Sequence, residues 1–171
     1  MFTASIARRP MTQPAVARPI DQLFAEYGRH HRNPINEAIH FAAVPMIVWS
    51  ALALISRIPF PDALKIAPQM TWAWIVVACA LLYYFTLSAP LALVMAVLAV
   101  AFLALIELYP ANAFLPLSAF AFLMFALSWV LQIVGHRIEG EKPAFLRDAK
   151  LLLIAPLWLT SEIFRALGLR Y

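Results

Sequence analysis

The chain has 171 residues, of which 64% are apolar, and its mean hydropathy is +0.80, against roughly 45–50% apolar in ordinary soluble domains. It carries 13 basic and 9 acidic residues for a net charge of +4. A water-soluble fold has nowhere to bury so much hydrocarbon surface, and no nucleic-acid partner is expected.

In chain order, residues 1–19 read as a flexible basic arm, with Arg8, Arg9 and Arg18 among Pro10, Pro14 and Pro19. No apolar core follows the arginines, so the arm is not a cleaved signal peptide. An amphipathic helix is expected from Gln22 to about His31, capped by Asp21. Leu23, Phe24 and Tyr27 give it an apolar stripe suited to the bilayer or to the bundle. Asn33-Pro34 ends that helix, and Pro34 fits the first turn of the next one, where a missing N–H costs nothing.

That next helix carries Asn36 and His40 and becomes a first span over residues 38–56, with a kink expected at Pro45. The 13-residue loop Arg57–Gln69, with Pro59, Pro61 and Pro68, follows. From Ile66 to Ile106 there are 41 residues without charge. As helix this is about 61 Å, or two crossings of a hydrocarbon core about 30 Å thick. Ser88-Ala89-Pro90 supplies the turn between spans over 70–87 and 91–109. A fourth span, 113–135, lies in the uncharged run Leu108–His136.

The single cysteine, Cys79, cannot form an intrachain disulfide and reads as a small buried thiol. Trp72, Trp74 and Tyr109 suit interfacial aromatic belts. Leu151–Ser161 is uncharged for only 11 residues, too few to span, so residues 150–169 are expected to lie in the interface or to re-enter the bundle. The fold class is therefore all-α: an integral membrane four-helix bundle with an N-terminal amphipathic helix and a C-terminal interfacial or re-entrant helix. Residues 20–171 form one membrane domain whose partner is the lipid bilayer. Eleven of the 13 basic residues fall on the side of the two termini. By the positive-inside rule that side is cytoplasmic, in the inner membrane of a bacterium or the endoplasmic reticulum of a eukaryote.

All four histidines, His30, His31, His40 and His136, fall at that same side. Asn36 and His40 are four apart on one helix face, as are Gln132 and His136, so each pair sets an amide beside an imidazole. Two readings stand. Interfaces favour histidine as an amphipathic anchor; alternatively, His31, His40 and His136 gather on zinc, iron, copper or nickel and leave positions open for chemistry. Glu162 offers a further carboxylate or is a solvated interfacial acid. Arg137, Lys142, Arg147 and Lys150 suit anionic headgroups or a substrate carboxylate held near the metal. A haem- or metal-binding protein without catalysis and a lipid transporter are the competing functions.

Tyr27-x3-His31-x4-Asn36-x3-His40, with Asn33-Pro34 inside it, resembles the N-terminal signature of the fungal-type 2-hydroxy fatty acid dioxygenase family. Trp129-x2-Gln132-x2-Gly135-His136, followed by Glu141-Lys142-Pro143-Ala144, is similar to a second block of that family. So is Ala155-Pro156 with Glu162 beyond it. The resemblance runs from about Phe24 to Gly168. It implies an Fe(2+)-dependent dioxygenase of fatty acid α-oxidation that uses O2 to convert a 2-hydroxy fatty acid to CO2 and the fatty acid one carbon shorter. The resemblance maps the metal ligands onto His31, His40 and His136. Glu162, Asn36 and Gln132 would then be catalytic, and Tyr27, Arg137 and Lys142 would bind substrate. His30 falls outside the matched pattern.

Overall fold

The computed structural model describes residues 18–29, 31–140 and 150–171. Residues 1–17 of the expected basic arm, His30 and Lys142 lie outside the described residues, while Arg18 and Pro19 belong to the start of α1. Within them are six α-helices: α1 (Pro19–Gly28), α2 (Pro34–Ser56), α3 (Trp72–Leu87), α4 (Ala89–Glu107), α5 (Leu117–Glu139) and α6 (Lys150–Ala166). One 3-10 turn, Asp62–Leu64, interrupts the loop after α2.

Three helices, α2, α4 and α5, are long and apolar enough to cross a membrane. The second expected span is shorter: α3 has 16 residues, about 24 Å of helix, against a core of about 30 Å. It begins late because Thr71 is extended, and because the Trp72 Nε1–H donates to the Pro59 carbonyl at 3.0 Å, tying the helix start to the loop. The turn between α3 and α4 falls where expected. Ser88, extended, donates its N–H to Tyr84 O, and its carbonyl accepts from Ala92 N. The last span also moves, because Pro116 and not Ala113 precedes its first turn, and the helix runs on to Glu139.

Two smaller expectations are corrected. Asp21 does not cap α1; Pro19 opens that helix, and Asp21 lies in its first turn, bonded to Arg18 at 2.9 Å. Pro19 has the backbone angle a first turn needs and no N–H to satisfy, so the start shifts toward it. Cys79 is exposed rather than buried, on the outward face of α3. The cap of α2 is as expected: Asn33 Oδ1 accepts from Ile35 N at 2.9 Å, ahead of Pro34.

The packing centre is α2, which touches α3, α4, α5 and α6. Its closest partner is the antiparallel α5. Asn36, Ala43 and Ser50 of α2 are fully buried, as are Ala121 and Ser128 of α5, with Gly135 continuing that row. Each set recurs every seven residues, which keeps one seam of a helix facing its neighbour. Gly135 beside Asn36 at one end, and Phe120 against Trp49 at the other, set a register that brings Ala43 level with Ser128 and Ser50 level with Ala121. Small side chains let the two backbones approach, which is the main source of helix association when lipid competes for apolar contacts. Both serine hydroxyls bond within their own helix, to Met46 O and Met124 O.

The apolar stripe of α1 packs on the bundle, not on lipid. Ile20, Phe24 and Tyr27 join Leu151, Ile154 and Trp158 of α6 in one buried cluster. The Tyr84 hydroxyl donates to Leu153 O at 2.7 Å and fastens α6 to α3. The chain end closes over α1: Tyr171 meets Phe24 edge-on, and its carbonyl accepts from Arg18. The opposite faces of the long helices stay apolar and exposed, among them Val97, Val100, Phe122, Leu123 and Val130. A bare apolar surface of that extent is suited to lipid.

Candidate metal centre

His31, His40 and His136 come together. Each offers a ring nitrogen, the three atoms lie within 4.8 Å of one another, and all three residues are buried. His31 follows α1, His40 stands on the second turn of α2, and His136 is one turn from the end of α5. The close α2–α5 contact is what brings the last two to one place. Gly135, beside His136, is part of that contact, since a Cβ there would fall on Asn36 Oδ1.

The tautomers follow from the hydrogen bonds. His31 Nδ1 lies 2.8 Å from Tyr27 O, and His40 Nδ1 lies 2.9 Å from Asn36 O. A carbonyl only accepts, so each Nδ1 carries the hydrogen and each neutral ring presents a lone pair at Nε2. Those two Nε2 atoms are 3.1 Å apart. Two lone pairs facing each other in a buried site repel; a cation between them removes the conflict. With His136 completing the set, the residues fit a metal ion. Backbone carbonyls on the far ring nitrogens are the usual means of orienting histidine ligands. Convergence of three rings on one point also fits an ion better than a haem, whose axial ligands approach from opposite faces.

The expected amide–imidazole pairs resolve differently. Asn36 orients His40 through its backbone carbonyl, not its amide. The amide instead donates to Glu139 Oε2 at 3.0 Å. The same carboxylate accepts from Asn33 N at 2.9 Å and Arg32 N at 3.0 Å. Glu139 thus holds the start of α2 and the His31–Asn33 turn against the end of α5. Sequence reading passed over it. The available signal was its place three residues after His136, on the same side of the helix. Gln132 is buried one turn from His136 and faces the cavity described below.

Tyr27 stacks on His31 with ring centroids 4.2 Å apart and planes 7° from parallel. Trp158 backs both rings. Burial pushes the Tyr27 phenol above its usual range, so it stays a neutral O–H donor. Glu162 is not in the histidine group. Its carboxylate bonds Arg165 at 2.7 Å; burial raises its pKa, and Arg165 opposes that shift. Arg137 points away: it is exposed and does not line the cavity, because the residue after His136 stands about 100° round the helix.

The histidines open onto a cavity of about 570 Å³. Besides the histidines, its polar lining includes Tyr27, which stacks on His31, Gln132, one turn from His136, and Tyr84 and Thr160; the rest is mostly hydrocarbon from α2, α3, α4 and α6. Phe41, Leu152 and Ile163 line it and are 38%, 45% and 49% exposed.

A buried, metal-competent histidine cluster opening onto a mostly apolar cavity, among helices long and apolar enough to cross a membrane, defines the class of the protein, and its sequence relationships agree. Residues 17–167 match the family described as 2-hydroxy-palmitic acid dioxygenase Mpo1-like, and the chain belongs to that family. The 2-hydroxy-palmitic acid dioxygenase MPO1 of Saccharomyces cerevisiae is 28% identical to it over 145 residues, covering 83% of this chain and 78% of the yeast protein. No solved structure matches the chain.

Proposed function

We propose that the protein is an iron(II)-dependent dioxygenase that shortens 2-hydroxy fatty acids by one carbon. The carrying observation is the union of three buried histidines with a cavity lined mostly by hydrocarbon. Such a site suits a molecule with a chelating head and a hydrocarbon tail. A 2-hydroxy acid has a hydroxyl and a carboxylate on adjacent carbons at one end and nothing polar elsewhere.

In this reading His31, His40 and His136 hold the metal, and the carbonyls of Tyr27 and Asn36 keep two of the rings facing it. A bound iron supplies a redox centre and a template for substrate and oxygen. Gln132, buried one turn from His136 and lining the cavity, would hydrogen-bond the substrate head. Tyr27 walls the site beside His31 and excludes water. Glu162, paired with Arg165, and Arg137, exposed, do not line the cavity. The overall change takes a 2-hydroxy acid and O2 to the shorter acid, CO2 and water. The substrate gives up four electrons and O2 accepts four, so no separate reductant is needed.

The test is metal analysis of anaerobically purified protein together with oxygen uptake on 2-hydroxypalmitate. The expected result is bound iron, and uptake matched one to one by CO2, with palmitate itself inert. Iron-loaded protein that consumes no oxygen with any 2-hydroxy acid would remove the enzymatic reading.

A further inference from the structure

We propose that the cavity is also a ruler: it takes the acyl chain along α2, and Ile55, Val76 and Phe102 at its far end fix the longest chain accepted. This rests on the reading of the histidine site as the place of the 2-hydroxy head.

The lining of α2 runs from His40 to Ile55, about 22 Å along a helix axis. A hydrocarbon core of about 30 Å holds two acyl chains end to end, so one leaflet's chain occupies about 15 Å. The cavity is therefore longer than one lipid chain and can take a whole fatty acid. Its volume, about 570 Å³, lies within the range of roughly 300–1,000 Å³ that holds one small ligand. That is suited to a single chain and not to a two-chain lipid.

The far-end residues come from three helix ends, and Ile55 and Phe102 pack against one buried cluster. Ile55 is the penultimate residue of α2, Val76 is one turn into α3, and Phe102 is near the end of α4. Those three helix ends lie on the side away from the histidines. Only hydrocarbon meets the methyl end there. Tyr84, the remaining polar side chain on the α3 wall, gives its hydroxyl to Leu153 O.

Selection at that end has to be steric. A methylene that leaves lipid for an apolar wall gains almost nothing, because lipid tails are as apolar as leucine. Affinity should stay flat with chain length and then fall where the methyl end meets Ile55 and Phe102. Forcing a close-packed wall to accept extra methylenes weakens displacement roughly ten-fold.

The experiment uses the full-length protein in vesicles with a bound fluorescent polyene fatty acid. Unsubstituted saturated acids of stepped length displace it, and pairs of 2-hydroxy acids compete for turnover in parallel. Phe102→Ala should move the length cut-off upward, and Ile55→Trp should move it downward. Opposite shifts from the two variants cannot both arise from misfolding. A cut-off that moves in displacement while oxygen uptake is absent supports the ruler and removes the dioxygenase reading. Turnover with an unmoved cut-off in both variants, or displacement with no cut-off at all, overturns the ruler alone.

Discussion

At the scale of single residues, the two lone pairs 3.1 Å apart at His31 and His40 make the sharpest demand on the site. Replacing His31, His40 or His136 with alanine should abolish oxygen uptake and remove most bound iron, while the protein still inserts and folds. Metal content and activity, measured beside thermal unfolding, check this. His40→Ala or His136→Ala with full iron would rule out a shared centre. Glu139 gives a second expectation. Glu139→Ala leaves Arg32 N–H, Asn33 N–H and the Asn36 amide without their acceptor, at a cost of about 1–2 kcal/mol. Glu139→Gln keeps an acceptor oxygen and should cost less, with thermal unfolding as the readout and iron affinity following in the same order. The histidine group was legible because the charges outline the spans, and the spans fix each histidine's depth. Glu139 was not, because its partners, two backbone N–H groups and the Asn36 amide, are more than 100 residues away, and no local pattern encodes them. Of the two readings of Glu162, its ion pair with Arg165 favours the interfacial acid.

At the scale of elements, the α2–α5 seam decides whether His40 and His136 meet. A Cβ at residue 135 would fall on Asn36 Oδ1, so Gly135→Ala should destabilise by about 1–3 kcal/mol, the usual cost of overpacking. The same substitution should weaken iron binding, since it pushes the two ligand-bearing helices apart. Thermal unfolding and iron titration of one sample would show both; a fully stable Gly135→Ala would mean the seam is looser than described. The seven-residue rows were present in the sequence, yet hydropathy conceals them, because alanine, serine and glycine contribute little to it. Helix ends were the least legible feature. Proline at a first turn outranked Asp21 as a start signal, and the Trp72–Pro59 bond delayed α3. Neither effect shows in hydrophobic periodicity.

At the scale of the whole molecule, four apolar helices and the 11-to-2 division of basic residues predict that both termini face the cytoplasm. Tags at each end should be equally open to protease from the cytoplasmic side of sealed vesicles. A protected C-terminus would mean that α6 crosses the membrane and that the count of crossings is odd. The all-α membrane fold was legible because uncharged runs of span length have few other uses. The place of α6 was not, since its 17 residues suit several depths, and only its packing on α1, α2 and α4 separates them.

Phe41, Leu152 and Ile163, which line the cavity and stay more than a third exposed, bear on how catalysis would be counted. Where a wall is one side chain thick and meets lipid, substrate arrives by diffusion in two dimensions and never passes through water. The quantity that governs rate is then moles of 2-hydroxy acid per mole of lipid, not its bulk molarity. Adding substrate-free lipid that exchanges with the protein's own bilayer should therefore slow turnover at constant total substrate, by surface dilution. Diluting the whole suspension with buffer should leave the turnover number unchanged.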